Sequence, residues 1–337
     1  MSGAGGHRRG PVALIVILDG TLSSLEPGRE TNAGLTWKLL TERGARADRF
    51  VFYEAGLQWD DWASTRNVMT GRGLNRKIER AYGFLASRYR PGDKIFLFGF
   101  SRGAFAVRSL AGAIDTIGLP RAEMATERVI RQAYRHYRSA PDSAAAAAFR
   151  ASACHRDVTV EMVGVWDTVK ALGLRLPLLW RWSAPLHDFH NHALGQHIRH
   201  GYHALALDET RQAYEPVMWE TQGQSARVEQ RWFAGSHGDI GGQVHRLPAA
   251  RARSNVTLHW MLSHAEALGL TLAEDWRARF PADATAPSVG NLRGWGKVFL
   301  LRRRRTVGQD PSEVIDPSVP DLVARRLEDT VTARAGA

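Results

Sequence analysis

The stretch IFLFGFSRGAF, Ile95 to Phe105, runs without a spacer from an apolar segment through Gly99-Phe100-Ser101-Arg102-Gly103 into small and apolar residues at helical spacing. A strand that turns at once into a helix holds its serine in a strained backbone geometry, and side chains at the flanking positions would collide with neighbouring backbone. Gly99 and Gly103 remove them. Ser101 is then lifted clear of the sheet, and the helix start beneath it offers free N–H groups and a partial positive charge to a developing oxyanion. Plain tight turns also produce this pentapeptide by chance. The strand before it and the helix after it are what make Ser101 a candidate nucleophile.

Such an elbow needs a parallel sheet around it. Val12 to Leu18 is a continuous apolar, β-branched run, as expected of a strand buried on both faces, and RFVFYE over 49–54 is a second strand. Leu74, Ile78, Tyr82, Leu85 and Tyr89 recur at helical spacing and predict a helix over 74–89. Pro91-Gly92-Asp93 breaks it, 94–100 is the nucleophile strand, and the helix that follows is stopped by Gly118 and Pro120. Helices over 122–137 and 143–153, strands over 158–165 and 228–234, and a helix from an N-cap at Ser254 through Leu268 complete the pattern. The expected fold class is α/β, a doubly wound, mostly parallel sheet with helices on both faces. No repeat or linker divides it, so one catalytic domain is expected over 10–300. A lid-like insertion is expected at about 171–202, and a basic C-terminal tail, partly helical or flexible, over 301–337.

A chain of 337 residues that is 44% hydrophobic can bury a sizeable core, and its one cysteine, Cys154, excludes an intramolecular disulfide framework. His7, Arg8 and Arg9 before PVALIVIL resemble a weak signal peptide. The apolar run ends in Asp19-Gly20 with no small-residue cleavage site, so it reads as the first strand. No run reaches the length of a membrane span. The expected location is cytoplasmic, or exported without a cleavable signal peptide. The net charge of +11, with Arg302 to Arg305 in a row, suits a basic surface that meets anionic lipid headgroups, nucleic acid or an acidic partner. A solvated, arginine-rich surface explains it more simply, and no nucleic-acid-binding motif is present.

A serine hydroxyl needs a base at hydrogen-bond distance, and the base needs an orienting carboxylate. In an α/β-hydrolase the chain order is Ser, then Asp or Glu, then His, each at a strand end. Asp167 follows the strand over 158–165, and His237 follows the strand over 228–234 in a glycine-rich loop. Asp115, Asp208 and Asp239 compete for the acid slot. His203, His245 and the group His187, His190, His192, His197 and His200 compete for the base. Asp115 sits inside the helix after the elbow, and Asp239 is too near His237 to be its acid; it is expected instead to fix that loop by accepting backbone N–H bonds. The histidine group lacks a diagnostic metal spacing and reads as polar loop residues, so no metal is expected. Asp19-Gly20-Thr21 lacks the first aspartate of a D-x-D-G-T phosphatase, since Ile17 stands there. Its backbone N–H groups at Gly20 or Thr21 are expected to join that of Arg102 as an oxyanion hole.

Five segments then fit one family in order: LDGT (18–21) with Asn32, GFSRGAF (99–105), GVWDTV (164–169), HALALDETR (203–211) leading to Pro216 and Trp219, and GSHGDIGG (235–242). The chain resembles the α/β-hydrolase family, long labelled as of unknown function, that includes the catalytic domain of type VI secretion phospholipase effectors. The resemblance spans about residues 12–245 and implies a Ser-Asp-His triad of Ser101, Asp167 and His237. GDIGGQ departs from relatives that continue with a third glycine and an aromatic.

The expected function is hydrolysis of a carboxylic ester, with lipid or phospholipid the leading substrate class and no cofactor. Leu178, Leu179, Trp180 and Trp182 are expected to form a lid or acyl-chain wall that touches an anionic membrane, with a core-packing insertion as the alternative. The alternative is a non-catalytic hydrolase-fold module that binds an anionic partner, membrane or nucleic acid, through its basic surface.

Overall fold

The computed structural model describes residues 9–42, 44, 46–56, 72–169, 193–221, 227–291 and 301–320. Among the described residues, seven strands form one sheet: β1 (Ala13–Leu18), β2 (Arg49–Glu54), β3 (Lys94–Phe100), β4 (Val160–Trp166), β5 (Ile198–Ala206), β6 (Val228–Phe233) and β7 (Glu313–Ile315). Their spatial order is β2-β1-β3-β4-β5-β6-β7, and every pairing is parallel. The α/β class and the doubly wound parallel sheet expected from the sequence are what the chain adopts.

The helices are α1 (Asn32–Thr41), α2 (Arg72–Arg88), α3 (Arg102–Ile117), α4 (Glu127–Ser139), α5 (Ala144–Ala153), α6 (His237–Gly241), α7 (Arg251–Ala267) and α8 (Trp276–Arg279). Side chains alternate across a strand, so the two faces of β1 and β3 seed two cores. Leu14, Val16, Leu18, Ile95 and Leu97 pack with α2, α3, α4 and α5 on one face. Ile15, Ile17, Phe96, Phe98 and Phe100 pack with α1, α7 and α8 on the other. Burial on both faces is why these strands read as unbroken apolar runs.

Several boundaries differ from the sequence expectation for local reasons. Residues 122–124 form a separate 3-10 turn, and α4 starts after Thr126, whose hydroxyl accepts the Val129 N–H. Ser254 is not an N-cap. A 3-10 turn beginning at Pro248 leads directly into α7, and Ser254 is buried inside that helix, donating to Asn32 Oδ1. The stretch around His200 and His203, expected as polar loop, is central strand β5, so residues 198–202 belong to the sheet rather than to an insertion. Leu178, Leu179, Trp180 and Trp182 lie outside the described residues.

Residues 301–320, expected to begin a basic tail, are seated on the sheet edge. β7 pairs with β6, Val307 and Val319 are buried, and Trp232 Nε1 donates to Glu313 at 2.8 Å. Among the described residues no helix is long and apolar enough to cross a membrane.

The start of α3 lies hard against the end of β1: a Cβ on Gly103 would sit 2.0 Å from the Leu18 carbonyl oxygen. Backbone cannot yield as a side chain does, so Gly103→Ala is expected to cost about 2–4 kcal/mol of unfolding free energy. Gly10→Ala, with nothing within 4 Å of the new Cβ, serves as the control and is expected to stay within about 0.5 kcal/mol in the same urea titration.

Candidate active site

Strand order reverses beside β1: the chain steps from β1 outward to β2, then back across to β3. Parallel α/β sheets open a crevice at the carboxyl ends of the strands flanking such a point. Here those ends carry Asp19-Gly20-Thr21 and Ser101.

Ser101 has φ 57° and ψ −120°, and Asp167 at the end of β4 has φ 42°; with Leu22 they are the non-glycine residues of positive φ among the described residues. Such conformations cost about 1–3 kcal/mol each and persist where surrounding contacts over-determine them. The contacts are visible. Ser101 N–H donates to Trp166 O at 3.0 Å and Asp167 N–H to Ala204 O at 2.8 Å, so the sheet ladder continues one residue beyond each strand. A Cβ on Gly99 would lie 2.6 Å from Gly103 O, so the elbow closes only with glycine there.

Three side chains then meet. Ser101 Oγ lies 2.9 Å from His237 Nε2, and His237 Nδ1 lies 2.6 Å from Asp167 Oδ2. All three are buried, Asp167 completely. With Asp167 ionised, the imidazole proton sits on Nδ1 and leaves Nε2 free to accept the serine proton.

The base loop is built by carboxylates. Asp239 accepts the Ser236 N–H and hydroxyl, each at 2.8 Å, the Ser288 hydroxyl at 2.6 Å and the Val289 N–H at 2.7 Å. Asp208 accepts the Gly235 N–H at 2.6 Å, and Glu209 accepts the His237 N–H at 3.3 Å. The His237 ring lies between two aromatics, Phe100 tilted against it and Tyr214 edge-on, both with centroids 4.8 Å away. Phe100 reaches it because Gly20 and Gly241 carry no side chain: a Cβ would stand 2.5 Å and 1.9 Å from the phenyl ring.

Sequence reasoning did not find Arg305. Its guanidinium donates to Asp167 Oδ1 at 2.5 Å and Oδ2 at 2.9 Å, and to the carbonyls of Ala206 (2.8 Å) and Tyr214 (2.6 Å). Asp167 Oδ1 also accepts the Ala206 N–H at 3.0 Å. Burial pushes the Asp167 carboxyl up. The Arg305 charge and the bonds from His237 and Arg305 outweigh that and hold it well below the usual carboxylate range. Within four consecutive arginines no signal separated Arg305 from its neighbours.

The competing residues have other partners. His203 is wholly buried, accepts the Thr168 N–H at 3.0 Å, and is pushed by burial down to about 3, so it is neutral and braces the turn after Asp167. Asp115 accepts from the backbone and ring of His197. No group of three or more His, Cys, Asp and Glu side chains that suits a metal occurs among the described residues.

The Gly20 N–H, expected to face an oxyanion, instead donates to Asp19 Oδ1 at 2.6 Å and is removed from that role. Asp19 also accepts from the Thr31 hydroxyl at 2.6 Å and the Tyr53 hydroxyl at 2.8 Å. The Arg102 side chain donates to Thr21 Oγ1. Among the described residues, none accepts from the backbone N–H of Arg102 or Thr21.

Residues 13–264 match the family model described as the type VI secretion (T6SS) phospholipase effector Tle1-like catalytic domain. The chain belongs to this family. It is 28% identical over 230 residues to an uncharacterized protein of the yeast Saccharomyces cerevisiae, covering 60% of this chain and 32% of that protein, so it spans about a third of the relative's length. A crystal structure of an uncharacterized protein from Pseudomonas aeruginosa superposes with a TM-score of 0.46 at 14% identity, covering 81% of this chain and 49% of that one. The Tle1 effector bound to the VgrG spike of the type VI secretion system gives a TM-score of 0.37 at 18% identity, over 69% of this chain and 51% of that one.

Burial pushes the Asp19 carboxyl up to about 6 against its hydrogen bonds. Its folded value lies above its unfolded one, so the folded state holds the extra proton between about pH 4 and 6, and stability falls as pH rises through that window. The unfolding free energy of the wild type relative to Asp19→Asn is expected to drop from about pH 4 to about pH 6 and to level off above it, in paired denaturant titrations.

Proposed function

We propose that this protein is a serine esterase that hydrolyses lipid esters through Ser101, His237 and Asp167. The observation that carries the reading is the buried, unbroken chain of hydrogen bonds from Ser101 Oγ through the imidazole to Asp167. Membership of a family of phospholipase catalytic domains supports the lipid ester as substrate class.

In this mechanism His237 Nε2 takes the Ser101 proton as Oγ attacks the ester carbonyl. Asp167 holds the reactive tautomer and stabilises the imidazolium. The Arg102 and Thr21 N–H groups, at the start of α3 and the end of β1, bind the oxyanion. The imidazolium protonates the leaving alcohol; water activated by His237 then cleaves the acyl-enzyme. The reaction requires neither a metal nor an organic cofactor. The net charge of +11 favours encounter with an anionic membrane surface.

A fluorophosphonate probe tests the reading. The wild type is expected to label at Ser101 and Ser101→Ala to remain unlabelled. Turnover of a short-chain p-nitrophenyl ester is expected to fall by about 10⁴-fold or more in Ser101→Ala and His237→Ala. Folded wild type that neither labels nor turns over ester would instead favour a binding module, and salt-sensitive binding to anionic vesicles that survives Ser101→Ala would identify it.

A further inference from the structure

We propose that Arg305 is a positioning residue for this site: its guanidinium grips both oxygens of Asp167, fixing the carboxylate's aim at His237 and sharing its negative charge. The inference rests on the esterase reading above and adds a fourth side chain to it.

The geometry is that of a fork on a carboxylate. Two N–H groups of Arg305 meet the two oxygens of Asp167 at 2.5 and 2.9 Å, and the ion pair is almost wholly buried, with 4% and 0% of the two side chains exposed. A lysine presents a compact point charge with rotatable donors and lacks the planar fork that matches the two oxygens. Arg305 is itself held by Ala206 O at the end of β5 and by Tyr214 O. Tyr214 is the residue whose ring stands edge-on to His237. One guanidinium therefore joins the acid, the neighbouring strand end and the aromatic wall beside the base.

The charge has a second consequence. An imidazolium is stabilised by the full charge of its carboxylate, and less so when a cation already shares that charge. Other charged groups around the base loop are Asp208 and Asp239, which hold Gly235 and Ser236, Glu209, at the His237 N–H, and Arg211, which pairs with Glu209 at 2.6 Å and lies over the Tyr214 ring. Glu209 and Arg211 offset each other, and His203 behind Asp167 is neutral. The Asp167–Arg305 pair is the one in direct contact with the imidazole through Asp167 Oδ2.

Arg305 also comes from outside the family match, which ends at 264. The segment that delivers it is anchored independently of the site. Gln212 N–H donates to Leu301 O at 3.1 Å, Arg303 N–H to Thr210 O at 2.7 Å, and β7 extends the sheet at β6.

The test is the second-order rate of fluorophosphonate labelling of Ser101 as a function of pH, in full-length wild type, Arg305→Met and Arg305→Lys, with thermal melts alongside. Arg305→Met is expected to label about 10- to 100-fold more slowly, with the acidic limb of its profile moved up by about one pH unit. Arg305→Lys keeps the charge without the fork. It is expected to leave the limb in place and to recover only part of the rate, and it carries the test if Arg305→Met does not fold. The proposal is overturned if a folded variant labels as fast as wild type throughout, or if folded Arg305→Met slows with its limb unmoved, the mark of a merely structural role. A wild type that does not label overturns the esterase reading itself, which distinguishes the two failures.

Discussion

A carboxylate with no access to water, at the end of a central strand, governs the site. Ionised and unpaired, Asp167 would cost several kcal/mol to bury. It is kept charged by four donors: the Ala206 N–H, the His237 ring and two N–H groups of Arg305. The four donors come from three parts of the chain: β5, the start of α6 and the segment that leads to β7. The residues that satisfy the charge are brought to it by the native strand order.

The strained backbone follows from the same constraint. Ser101 and Asp167 occupy positive φ at the ends of adjacent strands, and each passes its N–H to the next strand over. The sheet ladder absorbs the strain and converts it into direction: one side chain points up from β3, the other across from β4, and the imidazole fits between them. The arrangement of the three side chains is thus fixed by the fold itself.

What was legible in the sequence was local. Gly99 and Gly103 around Ser101 announce an elbow because backbone sterics act over a few residues. The apolar runs of β1 and β3 announce a sheet covered on both faces. Asp167 and His237 were found by their place after strands, and Asp239 by its place in a glycine-rich turn. What was hidden depends on partners far along the chain. Arg305 lies 138 residues from Asp167 and looks like any member of a basic run. β5 was masked by its histidines, since a buried imidazole such as His203 reads as polar until the Thr168 N–H it accepts is known. The loss of Gly20 as an oxyanion donor is equally invisible, because it turns on the orientation of the Asp19 carboxylate.

Phe100 sits one residue before Ser101, its ring filling the space left by the missing side chains of Gly20 and Gly241 and leaning on His237. It acts as a wedge common to three loops: the one after β1, the elbow, and the base loop. A slab of aromatic carbon in that position couples their displacements, so that none can drift without dragging the other two. It also lines one side of the imidazole with a surface that offers no hydrogen-bonding group.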